Sequence, residues 1–196
     1  MHTMPDDSEK TEPIFICSST ETLDSWASNE LLPEEIQTAI REANVLVVPF
    51  IGHAYDSELV YFPKGTDVLM DTLRAEATEG FRPDICASDD GYRELAEHAD
   101  VLHIAKVVAE WVVVPLLVNL LAGFIVRWRA RRGAGTVVTS TLVLTNIPRG
   151  QSLEVRYDGP ADTYVEAVKA AVAAIAEGRE DLVGNPGLGS GGSESQ

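Results

Sequence analysis

This chain has little cysteine and little basic charge, and both shortages restrict what the protein can be. Its 196 residues include only two cysteines, Cys17 and Cys86, and each lies in a short apolar run where a free thiol behaves as a small hydrophobic side chain. The sequence therefore argues against a disulfide-stabilised scaffold. Fifteen basic residues stand against 31 acidic ones, which gives a net charge of −16. Because such a charge repels polyphosphate, we predict no nucleic-acid binding.

Motifs for metals and cofactors are also scarce. Glu94 and His98 are one helical turn apart, with His103 nearby, but Glu and His at that spacing arise readily on an exposed helix face without any ligand. Lys64–Thr66 precedes a predicted helix whose N-terminus could bind an anion, yet the glycine-rich order of a phosphate loop is missing, so a turn and a helix cap are favoured. The sequence predicts neither a metal nor a cofactor.

The two ends of the chain differ in composition from the rest. Residues 1–12 predict a disordered tail, residues 13–182 a single α/β domain, and residues 183–196 a flexible Gly/Ser tail. The amino-terminal residues are polar and acidic, without the basic and apolar blocks of a signal peptide. We therefore expect a cytoplasmic protein, with a membrane location as the alternative.

Short apolar runs, typical of buried strands, alternate along the chain with amphipathic stretches, typical of helices. The predicted strands are 13–17, 45–51, 59–62, 84–87, 136–145 and 153–157, and the predicted helices are 33–43, 66–79, one carrying Tyr92, Leu95 and Ala99, and 160–178. This alternation predicts an α/β fold, a mainly parallel sheet with helices on both faces. The last two strands alternate apolar and polar residues, which predicts a C-terminal antiparallel hairpin at a sheet edge.

Ile104–Arg132 is the most unusual stretch, because it is almost entirely apolar until it ends in a cluster of arginines. Its central part, Val107–Val126, supplies about 20 residues, which is the length of a membrane span. A span would, however, bury Glu110 and Asn119 in lipid and would separate the predicted strands into two incomplete sets.

We therefore predict that this stretch is one long, very apolar helix, about 103–130, packed centrally in a soluble domain and buried on all sides. Pro115 then marks a kink or a break. Lys106 and Glu110 would lie one turn apart and pair. An exposed apolar face that recruits another subunit is a third interpretation.

Polar residues follow three of the predicted strands, and in an open parallel sheet ligands bind at the carboxyl ends of strands. His53, with Asp56 or Glu58 to orient it, is the candidate catalytic base. The candidate ligand-binding residues are Ser18, Ser19, Gly52, Ser88, Asp89 and Asp90. The plainer interpretation is that loops are polar for backbone reasons alone.

The run PIFICSS, then AIREANVLVVP followed by DSEL, resembles Toll/interleukin-receptor domains. The resemblance implies that Glu58 corresponds to the catalytic glutamate of the NAD-cleaving members. The Trp-Cys pair that precedes that glutamate in the family is missing here, and the apolar block after Ile104 has no counterpart in it. The sequence therefore does not place the chain in this family.

Together these patterns favour a small cytosolic binding or regulatory module that acts through a protein partner or as a homo-oligomer. One alternative is an enzyme that acts on a nucleotide-like or other small polar substrate at the strand ends. The second alternative is a single-span membrane protein that crosses the bilayer with residues 107–126.

Overall fold

The computed structural model describes residues 13–49, 60–95, 101–132, 135–147 and 152–179. Within these ranges the chain is a mixed α/β structure of nine strands and five helices. The strands are β1 Ile14–Ser19, β2 Val45–Val48, β3 Val60–Pro63, β4 Pro83–Ile85, β5 Tyr92–Leu95, β6 Val101–His103, β7 Lys106–Glu110, β8 Val137–Thr145 and β9 Ser152–Pro160. The helices are α1 Leu23–Ala27, α2 Glu34–Glu42, α3 Thr66–Ala75, α4 Val114–Arg132 and α5 Tyr164–Glu177, and a short 3-10 turn, Trp111–Val113, precedes α4. The predicted tails lie outside the described residues.

Seven of the strands form one mixed sheet in the order β1-β9-β8-β7-β2-β4, with β6 also paired to β8. The pairs β1–β9, β8–β9 and β2–β7 are antiparallel, whereas β7–β8, β6–β8 and β2–β4 are parallel. The prediction of a mainly parallel sheet is therefore wrong. The error arises because β1 pairs antiparallel with β9, and because β7, which was predicted to be helical, pairs antiparallel with β2. Strands β3 and β5 pair in parallel in a separate small sheet.

Strands β8 and β9 are antiparallel neighbours from Val137 opposite Pro160 to Leu144 opposite Leu153. Their connection, residues 148–151, lies outside the described residues, so the predicted hairpin turn stays a prediction. Strand β9 is not an edge strand, because β1 pairs with its other side. The outermost strand on this side of the sheet is therefore β1.

Two stretches that the sequence predicts to be helical are strands in the structure. Tyr92–Leu95 is the strand β5, and Lys106–Glu110 is the strand β7, which pairs with β2 on one side and β8 on the other. Val107, Val108 and Ala109 are completely buried. A strand that is buried on both faces is continuously apolar, and its periodicity cannot be distinguished from that of a buried helix.

A β-bulge separates β6 from β7 along the same side of β8. His103 lies opposite Thr139, and the next paired residue, Val107, lies opposite Leu142. The chain from β6 to β7 therefore advances four residues while β8 advances three. Ile104 lies in the bulge, and its N–H donates to the carbonyl oxygen of Thr139 at 2.8 Å. One extra residue therefore interrupts the ladder in the middle of the sheet.

Helix α4 is the connection between the parallel neighbours β7 and β8, as in a βαβ unit. Its inner face is buried against the sheet through Val114, Leu117, Val118, Leu121, Phe124 and Ile125. The prediction of burial on all sides is wrong, because Val112, Leu116 and Val126 are 76%, 39% and 63% exposed. Pro115 lies in the first turn of α4, where its missing N–H costs no helical hydrogen bond, so the helix continues through it.

Helices cover both faces of the large sheet. Side chains that alternate along β2 and β7 separate into two clusters: Leu46, Val48 and Val108 pack with α1 and α2, whereas Val45, Val47 and Val107 pack in the main core, which includes the buried side chains of α3, α4 and α5. The small layer of α1 and α2 therefore lies on the opposite side of the sheet from α4.

Truncation of the inner face of α4 should be far more damaging than truncation of its outer face. We expect Leu117→Ala, at a side chain with 0% exposure, to lower the free energy of unfolding by about 2–5 kcal/mol, because it leaves a cavity in the core. The control, Leu116→Ala, should change it by less than about 1 kcal/mol when both variants are compared in dilute, monomeric protein. Equal losses for the two variants in urea unfolding would contradict this packing of α4.

Candidate functional site

The directions of the strands decide which of the predicted site residues come together. Strands β2 and β4 are parallel neighbours, with Val47 opposite Ile85, so both end at the same edge of the sheet, and Ser88 follows there. Strand β1 is antiparallel to β9, β9 is antiparallel to β8, and β8 is parallel to β7, so β1 and β7 run in the same direction. Because β7 is antiparallel to β2, β1 runs in the opposite direction to β2. Ser18 and Ser19 therefore lie at the opposite edge and are not brought near Ser88.

The candidate catalytic residues fall on the segment that follows β2. Gly52, His53, Asp56 and Glu58 belong to residues 50–59, which lie outside the described residues. Their proposed roles stay predictions.

A cleft of about 210 Å³ lies beside the end of β4, between α3 and β5. Two of the predicted ligand-binding residues, Ser88 and Asp89, line it, and Asp90 is exposed next to them. The other lining residues are Asp67, Met70, Asp71, Arg74, Ile85, Ala87 and Tyr92. The cleft thus has an apolar floor and a rim of three carboxylates and one guanidinium.

The rim charges of the cleft are available to a ligand. Asp71, Arg74 and Asp89 are exposed, and none of them makes a side-chain hydrogen bond or ion pair with another described residue. Ser88 is held in place, because its hydroxyl oxygen accepts from the N–H of Gly91 at 3.2 Å. This arrangement can bind a small polar molecule that carries a positive charge.

Beside the cleft, Glu94 caps helix α3 from the neighbouring small sheet. Its carboxylate accepts from the backbone N–H groups of Gly65 at 3.1 Å and Asp67 at 3.0 Å, and from the hydroxyl of Tyr92 at 2.6 Å. The Tyr92 ring in turn stacks on Phe62, with ring centroids 5.0 Å apart. The anion at the helix N-terminus that follows Lys64 is therefore a side chain of the protein itself.

Sequence reasoning missed this cap, because Glu94 was assigned to a helix and considered with His98 and His103. Recognition of β5 as a strand would have been needed to bring Glu94 to α3. No local pattern in the sequence marks the cap, because Glu94 and Gly65 are 29 residues apart. Gly65 is required for a different reason: its φ is +90°, and a β-carbon there would lie 2.5 Å from the Trp128 ring. Among the described residues no group of three metal-ligating side chains occurs.

The cap changes the acidity of both groups that form it. Burial by itself would raise the pKa of Glu94, but the hydroxyl of Tyr92 and the N–H groups of Asp67 and Gly65 outweigh burial, so its pKa is lowered. Burial and the bond to Glu94 raise the pKa of Tyr92. At neutral pH Tyr92 is therefore a hydrogen-bond donor, and the pair serves to position α3 and the wall of the cleft.

A second concavity, of about 240 Å³, lies at the β-bulge. It is lined by Pro49, His103, Ile104, Lys106, Thr139, Ser140 and Thr141. Lys106 does not pair with Glu110 as predicted, because the two residues belong to one strand; its ammonium lies 2.6 Å from the carboxylate of Glu21. The cation in this pocket is therefore already neutralised.

The third feature is the outer face of α4 with the 3-10 turn that precedes it. We define this outer face as Val112, which lies in the turn, and Leu116, Asn119, Gly123, Val126 and Ala130 of the helix. A groove of about 510 Å³ separates part of this face from α3, and Arg127 crosses it to donate to the hydroxyl of Thr72 at 3.1 Å. Among the described residues one helical stretch, Trp111–Arg131, is long and apolar enough to cross a membrane. The most apolar 18 residues of this stretch have a mean hydropathy of 1.9, and 39% of them are buried in the fold.

Loss of the Glu94 carboxylate should weaken α3. We expect Glu94→Gln to lower the free energy of unfolding by roughly 1 kcal/mol at pH 7, as for the loss of a helix cap, and the exposed control Glu35→Gln to change it little. Because the folded pKa is lowered, the stabilisation is present above the unfolded value near 4.5 and is lost as pH falls through the folded pKa. If the difference in free energy of unfolding between the wild type and Glu94→Gln stayed the same from pH 7 to pH 3, the Glu94 carboxylate would not be stabilising α3.

Comparison with protein-family models, with curated proteins and with solved structures finds no match for this chain. The resemblance to Toll/interleukin-receptor domains is therefore not supported by a family model, and Glu58, on which it depends, lies outside the described residues.

Proposed function

We propose that this protein is a small cytoplasmic binding module that holds another protein chain on the outer face of α4. The observation that carries the proposal is the exposure of several large apolar side chains on one face of a single helical stretch. Val112 and Val126 are 76% and 63% exposed, and Leu116 lies between them with 39% exposure. Single exposed apolar residues are ordinary on protein surfaces, whereas several on one face favour a surface that another chain covers.

The composition of α4 supports this proposal over a purely structural role. A helix that only covers a sheet needs one apolar stripe and is polar elsewhere. On its outward side α4 instead has Val112, Leu116, Gly123, Val126 and Ala130, interrupted by Asn119. Burial of apolar surface is worth about 25 cal/mol per Å², so covering this side would stabilise a complex.

A membrane span is the competing explanation of the same apolarity. It is less favourable because α4 connects β7 directly to β8, its parallel neighbour in the sheet, over Val107–Glu110 and Leu142–Thr145. If α4 crossed a bilayer, these two strands would lie on opposite sides and their hydrogen bonds would be lost. The buried inner face of α4 would also have to leave the core.

Charges on the outer face should abolish docking without unfolding the protein. We expect full-length protein in a detergent-free cell extract to migrate above the monomer mass in size-exclusion chromatography. Leu116→Asp combined with Val126→Asp should migrate as a monomer, because burying two carboxylates in an apolar interface is costly. The control is Leu31→Asp, at a side chain that is 65% exposed away from α4.

Two results would contradict the docking proposal. One is that wild type and the double variant migrate at the same mass. The other is that the wild type is recovered from cells only with detergent, as a membrane span requires. Circular dichroism of the purified variants shows whether their fold is kept.

The cleft beside β4 favours a second function, the binding or conversion of a small polar molecule. The free charges of Asp71, Arg74 and Asp89 above an apolar floor support it. Such a ligand would pair a cationic group with the carboxylates, and an anionic group with the guanidinium.

A screen of free amino acids and small amines by thermal unfolding tests this second function. A ligand at 100 times its Kd should stabilise the wild type by about 2.7 kcal/mol. Asp71→Asn combined with Asp89→Asn should lose most of that effect, whereas the exposed control Asp24→Asn should keep it. If no compound stabilises the wild type, or if the double variant responds equally, the cleft does not bind this class of molecule.

A further inference from the structure

We infer that the chain docked on the outer face of α4 is a second copy of this protein, with the two α4 helices antiparallel about a two-fold axis at Asn119. This inference rests on the proposed docking function and names its partner.

The spacing of the outer face is that of a coiled-coil seam. Its members follow one another at intervals of four, three, four, three and four residues, from Val112 to Ala130. This is the heptad pattern, in which side chains of one helix enter gaps between side chains of another. The face is therefore shaped to receive a helix. A helix with this seam is present in the protein itself, so two copies can each supply what the other needs.

The sizes of the residues select the antiparallel arrangement. The amino-terminal half of the face carries the larger Leu116, whereas the other half carries Gly123 and Ala130. A β-carbon added at Gly123 would meet only the Arg127 side chain, at 3.7 Å, so there is room above this glycine. With the axis at Asn119, Val112 of each copy lies over Val126 of the other, and Leu116 lies opposite Ala122, one residue from Gly123. A parallel pair would instead oppose leucine to leucine and glycine to glycine, which leaves a gap.

The charges select the same arrangement. Arg127, Arg129 and Arg131 lie in the last turns of α4, and Glu110 precedes the helix. A parallel pair would gather the arginines of both copies at one end, where they repel. An antiparallel pair brings each set of arginines to the amino-terminal end of the partner helix, beside its Glu110, and opposes the two helix dipoles favourably.

Asn119 explains how one register is chosen. It is exposed at the centre of the otherwise apolar face. On the two-fold axis the two amides can hydrogen bond to each other, whereas a shifted register would bury each amide against apolar side chains. A single asparagine in a coiled-coil seam fixes register in this way at some cost in stability. The seam spans about 28 Å of helix, so we expect a reversible dimer.

Cysteine cross-linking of the purified full chain tests the arrangement. The variants carry Cys17→Ser, so that Cys86 is the one native cysteine left. Cys86 is buried, and burial together with the nearby Asp84 carboxylate raises the pKa of its thiol to about 12. We therefore expect Cys86 to stay unreactive. Under mild oxidation Asn119→Cys should form a disulfide-linked dimer. Val112→Cys alone should not, because its two copies would be about 21 Å apart along the helices.

A mixture of two single-cysteine variants distinguishes an antiparallel pair of helices from a parallel pair. Val112→Cys mixed with Val126→Cys should form a disulfide between the two variants, because these positions face each other in the antiparallel pair. Self-linked Val112→Cys, without the mixed product, would overturn the antiparallel arrangement. Lack of any cross-link at all three positions would overturn self-association through this face.

Sedimentation equilibrium of the purified wild type distinguishes this inference from the docking proposal on which it rests. A dimer that becomes a monomer in Leu116→Asp supports both. A purified monomer, together with a mass above the monomer in cell extract, overturns the second-copy inference and leaves the docking proposal standing. A monomer in both conditions overturns the two together.

Discussion

The position of β7 in the middle of the sheet is the constraint on which the rest of the structure depends. Its backbone pairs with β2 on one side and with β8 on the other, and its side chains are buried on both faces. Because β8 is parallel to β7, the chain between them has to return along the sheet, and it does so as α4. The inner face of α4 is fixed by this return, and the outer face is what remains exposed.

This division accounts for the unusual sequence of α4. An apolar inner face is required by the core, where Leu117 and Leu121 are completely buried. The apolar outer face is not required by the fold, and the docking proposal is an explanation of its composition. The two sides together make the stretch look like a membrane span, although only the inner side packs in the interior of the protein.

Much of the local structure could be read from the sequence, because its signals were local. The stripe of Val168, Val172 and Ile175 predicts α5, and the β-branched run after Gly135 predicts β8; both are present. The errors arose where only tertiary contacts decide. Strand β7 has the composition of a buried helix, and it is a strand because β2 and β8 lie on either side of it.

The same distinction applies to the candidate site. Ser88 and Asp89 were identified because they follow a strand, and they do line a cleft. The cap formed by Glu94 could not be found from local patterns, because it joins β5 to α3 across 27 to 29 residues of sequence. The separation of Ser19 from Ser88 likewise follows from strand directions that only the complete sheet defines.

The location of β7 can be measured directly by nuclear magnetic resonance in detergent-free solution. Backbone contacts across the sheet should join Val108 both to Leu46 and to Val143, its partners on the two sides. Successive contacts of the helical kind from Val107 into α4, without contacts to β2 or β8, would show instead one continuous helix and would contradict the account.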